Sequence, residues 1–218
     1  MLPKPVRQEI DHRTIKLIVG VIALSLATLT DLFAKTSITS ISASYYEGGW
    51  SQSIFIGFLF AISALMLAYN GKSRIEMLLS KVASVTALGV AMFPCECGGR
   101  PPLVPHVHGI AAGVMFLILT YFCYLFYKRA RAKGYAQAKL RSVIYLLCGL
   151  AILSSILVIG GDWMSGGELS LKVPRLTFYG EATGLVAFGI SWLTASRVLP
   201  ILTATEERFW PLRDQNPV

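Results

Sequence analysis

Residues 142–160 read SVIYLLCGLAILSSILVIG, a run of 19 residues without a charged side chain. A helix of about 20 apolar residues, rising about 1.5 Å per residue, crosses a hydrocarbon core about 30 Å thick. Inside that core each backbone amide needs a partner within its own segment. The run therefore predicts a membrane-spanning helix.

Five further stretches share this character. The chain has 218 residues, of which 54% are hydrophobic and only 15% charged, whereas soluble domains carry roughly a quarter charged residues. This composition excludes a disordered chain and disfavours a soluble protein. We predict an all-α, polytopic membrane protein, with residues 1–218 forming one transmembrane domain, a six-helix bundle. The predicted spans are residues 14–32, 54–69, 75–93, 109–127, 142–160 and 176–196.

The distribution of basic residues predicts the orientation. Of the 20 Lys and Arg residues, 16 lie in the two termini and near the connections after the second and fourth spans. The other side holds Lys35, Arg100, Lys172 and Arg175. Because basic residues collect on the cytoplasmic side, both termini are predicted to be cytoplasmic in a multi-pass inner-membrane protein. The same bias accounts for the net charge of +8, so the predicted partner is the lipid bilayer and not nucleic acid.

Acidic residues gather on the opposite, outer side. Glu181 lies about five residues into the sixth span, and a carboxylate inside a membrane usually faces the bundle interior or a watery cavity. Asp31 and Asp162 end the first and fifth spans on that side. If they converge with Glu181 and His108, the group is a candidate acid/base or metal-ligand cluster, in which Asp31, Asp162 and Glu181 are the catalytic residues and Glu181 is the base. Two alternatives stay open: Glu181 reaches the head groups or pairs with Arg175, and both aspartates are simply solvated.

A cysteine and histidine segment is the candidate metal site. Cys95, Cys97, His106 and His108 fall within fourteen residues, and thiolates with imidazoles are the usual ligands of zinc. Free thiols, a Cys95–Cys97 disulfide, and histidines that hydrogen-bond at the start of the fourth helix are the alternatives. Ser40, Ser42 and Ser44 share the outer side with both histidines, so a serine nucleophile is also open, although serines are common in loops.

Two pairs of glycines, each spaced four residues apart, lie near the starts of predicted spans. Gly109-x-x-x-Gly113 begins the fourth span and Gly180-x-x-x-Gly184 lies in the sixth. Such spacing allows helices to approach closely. We predict tight packing at both places, which would hold His108 and Glu181 in one outer layer.

Several short motifs carry a family resemblance. They are Ser-Ile-Ser-Ala-Ser-Tyr-Tyr at 40–46, Pro94, Pro105-His106-Val107-His108-Gly109 and Tyr179-Gly180-Glu181. Over nearly its whole length the chain resembles small uncharacterised bacterial six-span inner-membrane proteins. That resemblance implies the fold and the membrane, and no agreed activity.

Three functions are compatible with these features, and the sequence leaves open whether the protein is an enzyme. The first is an outward-facing site, with zinc as a possible cofactor, that binds or hydrolyses a lipid or small molecule. The second is a non-catalytic membrane subunit or assembly factor whose outer loops contact a partner. The third is a small transporter using Glu181, which is weakened because no comparable charge is expected in the inner halves of the spans.

Overall fold

The computed structural model describes residues 11–97, 99 and 103–211. Within these ranges the chain is helical and has no strand. Lys4, Arg7, Arg100 and Arg213, which entered the count of basic residues, lie outside them. The α-helices are α1 (His12–Leu32), α2 (Gly49–Ala68), α3 (Arg74–Met92), α4 (Val107–Arg131), α5 (Ala136–Met164), α6 (Glu168–Lys172) and α7 (Leu176–Ser196). Short 3₁₀ helices cover Ser42–Tyr46, Pro200–Leu202 and Thr205–Glu207.

Each predicted span coincides with one long helix. Two helices begin well before their predicted spans: α5 begins at Ala136 and not at residue 142, and α2 begins at Gly49 and not at residue 54. The first turn of α2 is polar, but the buried Ser51 hydroxyl donates to the Thr30 carbonyl of α1 at 2.8 Å, and the Gln52 side chain donates to the Tyr45 carbonyl at 2.6 Å. The short helix α6 was not predicted.

The six long helices form a closed ring. α1 packs against α2, α2 against α3, α3 against α4, α4 against α5, α5 against α7, and α7 returns to α1. Because neighbours in the ring run antiparallel, the start of α1 and the end of α7 lie at the same end. We call this end, which gathers most basic residues, the basic end. The opposite end, where α1 ends, is the acidic end.

Two apolar clusters fill the ring. One is centred on Tyr69, Phe122 and Trp192, each 0% exposed. The other, towards the acidic end, contains Leu26 and Phe55. Among the described residues, five helices are long and apolar enough to cross a membrane, namely α1 to α5. The sixth predicted span, α7, matches α1 in length, with 21 residues.

Close packing is found at one of the two predicted glycine pairs and not at the other. A Cβ atom at Gly180 would lie 2.7 Å from the Ile159 side chain, and one at Gly184 would overlap the Phe116 ring, so that pair permits close packing as predicted. The prediction for Gly109 and Gly113 is wrong, because a Cβ atom at either would meet open space.

The closest approach of two backbones involves a pair that the sequence did not single out. A Cβ atom at Gly20 of α1 would lie 2.9 Å from the backbone nitrogen of Leu193, and one at Gly189 of α7 would lie 2.9 Å from the Gly20 carbonyl oxygen. Since neither backbone can yield cheaply, both glycines are needed for α1 and α7 to touch. This contact brings α7, with Glu181, into the ring.

Candidate functional site

The segment between α1 and α2 folds over the acidic end of the ring. Ile38 and Ile41 are each 2% exposed and join the apolar cluster that contains Leu26 and Phe178. These isoleucines anchor the segment inside the bundle, since burying such a side chain stabilises the fold by about 1.5–3 kcal/mol. Ser42, which follows at once and is 6% exposed, is thereby carried into the interior. We call residues 38–46 the covering segment.

Glu181, in the second turn of α7, binds the covering segment. Its Oε2 atom accepts the backbone N–H of Ile41 at 2.5 Å and that of Ser42 at 3.4 Å. Its Oε1 atom lies 3.0 Å from the Ser42 hydroxyl. Glu181 stays partly exposed. The Glu181 carboxyl group therefore binds the covering segment and does not pair with Arg175, which was the predicted alternative.

His108, in the first turn of α4, reaches the same hydroxyl from the other side. Its Nε2 atom lies 2.9 Å from Ser42 Oγ, and its Nδ1 atom lies 2.7 Å from the carbonyl oxygen of Phe93 at the end of α3. The residue is 8% exposed. Glu181, Ser42, His108 and the Phe93 carbonyl therefore form one hydrogen-bonded chain, which we call the Ser42 network.

The number of hydrogens that each group can donate determines where the protons lie in the Ser42 network. The Phe93 carbonyl only accepts, so His108 Nδ1 must donate to it, and in a neutral imidazole Nε2 then accepts the Ser42 hydroxyl hydrogen. Ser42 has no second hydrogen for Glu181. A protonated Glu181 satisfies every group: Oε1–H donates to Ser42, and Oε2 accepts both N–H groups. An imidazolium with a carboxylate makes the same contacts but places two ions in an apolar interior, which costs several kcal/mol per ion. The neutral arrangement is therefore favoured.

A small cavity adjoins the Ser42 network. Its volume is about 30 Å³, and Ser42 and Glu181 line it together with apolar side chains from α1, α2, α3, α4 and α7. A water molecule needs about 10–15 Å³ of such space, so water fits beside Ser42. A second void of about 10 Å³ shares Leu59, Met115 and Leu185 with the first and has an entirely apolar lining. The space that adjoins the cavity on the side of the basic end is thus apolar.

Asp31 lies outside the Ser42 network. It forms an ion pair with Arg175, whose Nε atom donates to the Ile38 carbonyl at 2.9 Å. The Arg175 guanidinium also lies over the Phe178 ring, at 4.1 Å from its centroid. Asp31 thus helps to fix the start of the covering segment and does not join Glu181 as predicted for a catalytic cluster.

Asp162 also lies outside the Ser42 network and binds the first residues of α6. Its Oδ1 atom accepts the backbone N–H groups of Leu169 at 2.8 Å and Ser170 at 3.1 Å, and the Ser170 hydroxyl also donates to its carboxylate. These contacts hold the short helix α6 against the end of α5. Of the three predicted catalytic residues, only Glu181 belongs to the Ser42 network.

The structure does not gather the four predicted metal ligands. Cys95 and Cys97 are joined in a disulfide, so neither offers the thiolate that binds zinc. The His106 side chain is 63% exposed and lies 3.6 Å from Glu96, whereas His108 points into the bundle. Within residues 11–97, 99 and 103–211, no group of three or more His, Cys, Asp or Glu is arranged to hold a metal ion.

Sequence reasoning gave Ser42 little weight and missed the buried charges at the basic end. Three alternating serines in a loop carry no signal that one of them faces inward. The expectation that the inner halves hold no comparable charge is wrong: Glu76 is 0% and Lys16 is 7% exposed. Glu76 is buried because Arg129 of α4 pairs with it and the Lys72 backbone donates to it, a pairing between helices that sequence alone does not reveal.

A comparison with known families assigns the chain. Residues 17–170 match the family described as proteins of unknown function, DUF998, which is more than half of the 218 residues. The chain belongs to the DUF998 family. It is a membrane-embedded helical protein of that family, with several membrane-spanning helices. The part that matches DUF998 contains Ser42 and His108, whereas Glu181 follows it. No curated protein and no solved structure matches the chain.

Proposed function

We propose that the protein is a membrane-embedded serine hydrolase or acyltransferase that cleaves an acyl ester or amide of a lipid. The observation that carries the proposal is the 2.9 Å contact of Ser42 Oγ with His108 Nε2, together with the 2.7 Å contact of His108 Nδ1 with the Phe93 carbonyl. A nucleophile next to a base, with the base oriented by a third group, is the arrangement that activates a serine.

The proposed reaction begins at Ser42. Its Oγ atom attacks the acyl carbonyl carbon while its proton moves to His108 Nε2. The bond to the leaving alcohol or amine then breaks, and His108 returns the proton to that group. Water, or an acceptor alcohol in the transferase version, attacks the acyl-serine in the same way and restores Ser42.

The backbone around Ser42 also suits this chemistry. The N–H groups of Ile41 and Ser42 both point at Glu181 Oε2. A substrate carbonyl oxygen in the place of that atom would receive the same two donors, as an oxyanion hole requires. Glu181 is therefore proposed to move aside when substrate binds and to act as an acid near the developing charge, and not as the base that the sequence suggested.

The lining favours a lipid acyl group. Apolar side chains surround the cavity beside Ser42, and the adjoining void is apolar throughout. The cavity of about 30 Å³ is far smaller than the roughly 300–1,000 Å³ of a preformed ligand pocket. Substrate entry therefore requires the covering segment to open.

The proposal includes the topology. Six spans, with α7 as the sixth and both termini cytoplasmic in the inner membrane, would place the acidic end and Ser42 at the outer leaflet. The equal length of α1 and α7 and the gathering of basic residues at one end support it. A reporter that is active only in the cytoplasm should be active when fused after Val218, and an inactive C-terminal fusion would contradict the orientation.

The test is hydrolysis of a fluorogenic long-chain acyl ester by the purified full-length protein in detergent. Ser42→Ala should abolish turnover. His108→Gln, which keeps a donor for the Phe93 carbonyl but is no base, should lower kcat by about 10²–10⁴-fold. Ser44→Ala is the matched control, since Ser44 lies in the same 3₁₀ helix, is 0% exposed and has a hydroxyl that makes no hydrogen bond with any described residue.

Melting temperatures of all three variants separate lost chemistry from lost structure. Turnover that survives in folded Ser42→Ala protein would overturn the proposal. In that case the Ser42 network would be a clamp on the covering segment, as a non-catalytic subunit would use it.

A further inference from the structure

Lys16 is a buried cation that forms no ion pair with any residue that the structure describes. It lies in the second turn of α1 and is 7% exposed. Its Nζ atom is 5.3 Å from the ring centroid of Tyr69 and 5.2 Å from that of Phe126. Cation–π contacts stabilise such an ammonium, but by less than the burial of an unpaired ion costs. Among the described residues, no acceptor hydrogen-bonds to it.

Two further donors in the same cluster also have no acceptor. The hydroxyl of Tyr69 and the indole Nε1–H of Trp192 are buried and make no hydrogen bond within the described part of the chain. The two rings are in contact, with centroids 5.3 Å apart, and both residues are 0% exposed. Buried donors are nearly always satisfied, because an unsatisfied donor destabilises the fold. Three donors without an acceptor in one contact group therefore point to a missing acceptor.

The surroundings of these donors are electropositive. Burial lowers the pKa of Lys72, which follows α2, and the charges of Arg129, Lys133 and Arg197 lower it further. The Coulomb field of several cations thus extends over this end of the bundle.

The carboxylates near these donors are already committed. Asp11, whose charge acts on Lys16, caps α1 by accepting the Arg13 N–H at 2.8 Å. Glu76 pairs with Arg129. Glu207 pairs with Lys133, Arg141 and Arg197. Within the described residues, none of these carboxylates is hydrogen-bonded to Lys16, Tyr69 or Trp192, so this group of donors lacks an acceptor of its own.

We infer that the basic end contains a binding site for a phosphate group, formed by Lys16, Tyr69 and Trp192 between α1, the end of α2 and α7. A phosphate offers several oxygen acceptors and charge, which matches a set of three donors in a positive field better than a carboxylate does. Basic pockets between membrane helices bind phospholipid head groups. The phosphate belongs either to an anionic lipid or to a soluble phosphate, and the experiment distinguishes these sources.

The experiment measures the melting temperature of the purified full-length protein in a neutral detergent. The probes are inorganic phosphate, phosphatidic acid and, as a lipid without net charge, phosphatidylcholine, with chloride at equal ionic strength as the salt control. A ligand that binds the folded protein raises its melting temperature. Stabilisation by both phosphate probes or by inorganic phosphate alone indicates a soluble source, and stabilisation by phosphatidic acid alone indicates a lipid. Stabilisation by neither, or equally by phosphatidylcholine or chloride, would overturn the inference.

Lys16→Met gives the sharper result because methionine is similar in length and uncharged. We expect its affinity for the stabilising probe to fall at least about tenfold, while its melting temperature without ligand rises above that of the wild type, since an unpartnered buried charge has been removed. Lys139→Met, at an exposed lysine of the same end, should leave the affinity unchanged.

A structural role for Lys16 predicts the reverse. If Lys16→Met lowers the melting temperature without ligand and keeps the affinity, the site is refuted. If Lys16→Met does not fold, Trp192→Phe removes one donor and keeps an aromatic ring. It should weaken binding several-fold, and unchanged affinity in this variant would overturn the inference.

Discussion

At the acidic end the partly exposed Glu181 accepts N–H groups of the covering segment through its carboxyl group, whereas at the basic end the buried carboxylate of Glu76 faces a guanidinium. The first arrangement satisfies all its groups with no net charge. The second keeps full charges and has more cations than carboxylates to pair with them. The difference between the two ends is therefore one of charge: the polar groups around Ser42 are satisfied as neutral groups, whereas those around Glu76 are satisfied as ions.

The largest effect is expected at Glu76. Replacing it with leucine leaves Arg129 with an unpaired charge and the Lys72 N–H without an acceptor, which should cost about 3–5 kcal/mol of unfolding free energy. Unfolding by SDS titration measures the loss. Glu206→Leu, at an exposed position of the same end, should change stability by no more than about 0.5 kcal/mol. A similarly small loss for Glu76→Leu would contradict a charged basic end.

Glu181 supplies the contrasting pair of variants. Leucine removes the acceptor of the Ile41 and Ser42 N–H groups, and we expect a loss of about 1–3 kcal/mol. Glutamine reproduces a protonated Glu181, because its carbonyl accepts these N–H groups and its amide donates to Ser42. Glu181→Gln should therefore unfold within about 0.5 kcal/mol of the wild type in the same titration. If Glu181→Gln loses as much unfolding free energy as Glu181→Leu, then Glu181 is an ionised carboxylate, and the acidic and basic ends do not differ in charge as described.

A smaller effect concerns acid stability at the basic end. Burial acts to raise the pKa of Glu207, but hydrogen bonds from Lys133 and Tyr135 and the charge of Arg197 outweigh it and lower the pKa to about 2, from an ordinary value of 4.5. A depressed pKa means that stability is fully present above the unfolded-state value and is lost as pH falls from about 4.5 towards 2. Melting temperature against pH should fall over this window, and Glu207→Gln should flatten the slope.

The smallest effect is expected at Glu47. The Thr36 hydroxyl, at 2.6 Å, and the N–H groups of Lys35 and Thr36 lower the pKa of Glu47. Glu47→Gln should thus lose stability above pH 4.5 and match the wild type in strong acid. Because Glu47 is near the surface, Glu47→Gln should lose less stability than Glu207→Gln. A larger loss in Glu47→Gln would contradict the expectation that ionised carboxylates contribute more to stability at the basic end than at the acidic end.

Much of the fold was predictable, because the length and apolar character of a span depend only on the residues of that one segment. The helix α2 shows where this stops: a polar first turn reads as loop until Ser51 finds the Thr30 carbonyl of another helix. The site followed the same rule. Glu181 was predictable from one segment, since a carboxyl group in a span needs an interior partner. The role of Ser42 depends on contacts among α3, α4, α7 and the covering segment, and no spacing along the chain encodes them.

Ser42 is proposed to act as a nucleophile, and a fluorophosphonate, which forms a covalent adduct with an activated serine, tests that role. The purified protein is treated with the probe, digested and analysed by mass spectrometry. We expect a single adduct on Ser42, which persists in Ser44→Ala and is lost in His108→Gln. An adduct on another serine, or none on Ser42 under conditions that label a known serine hydrolase, would contradict it.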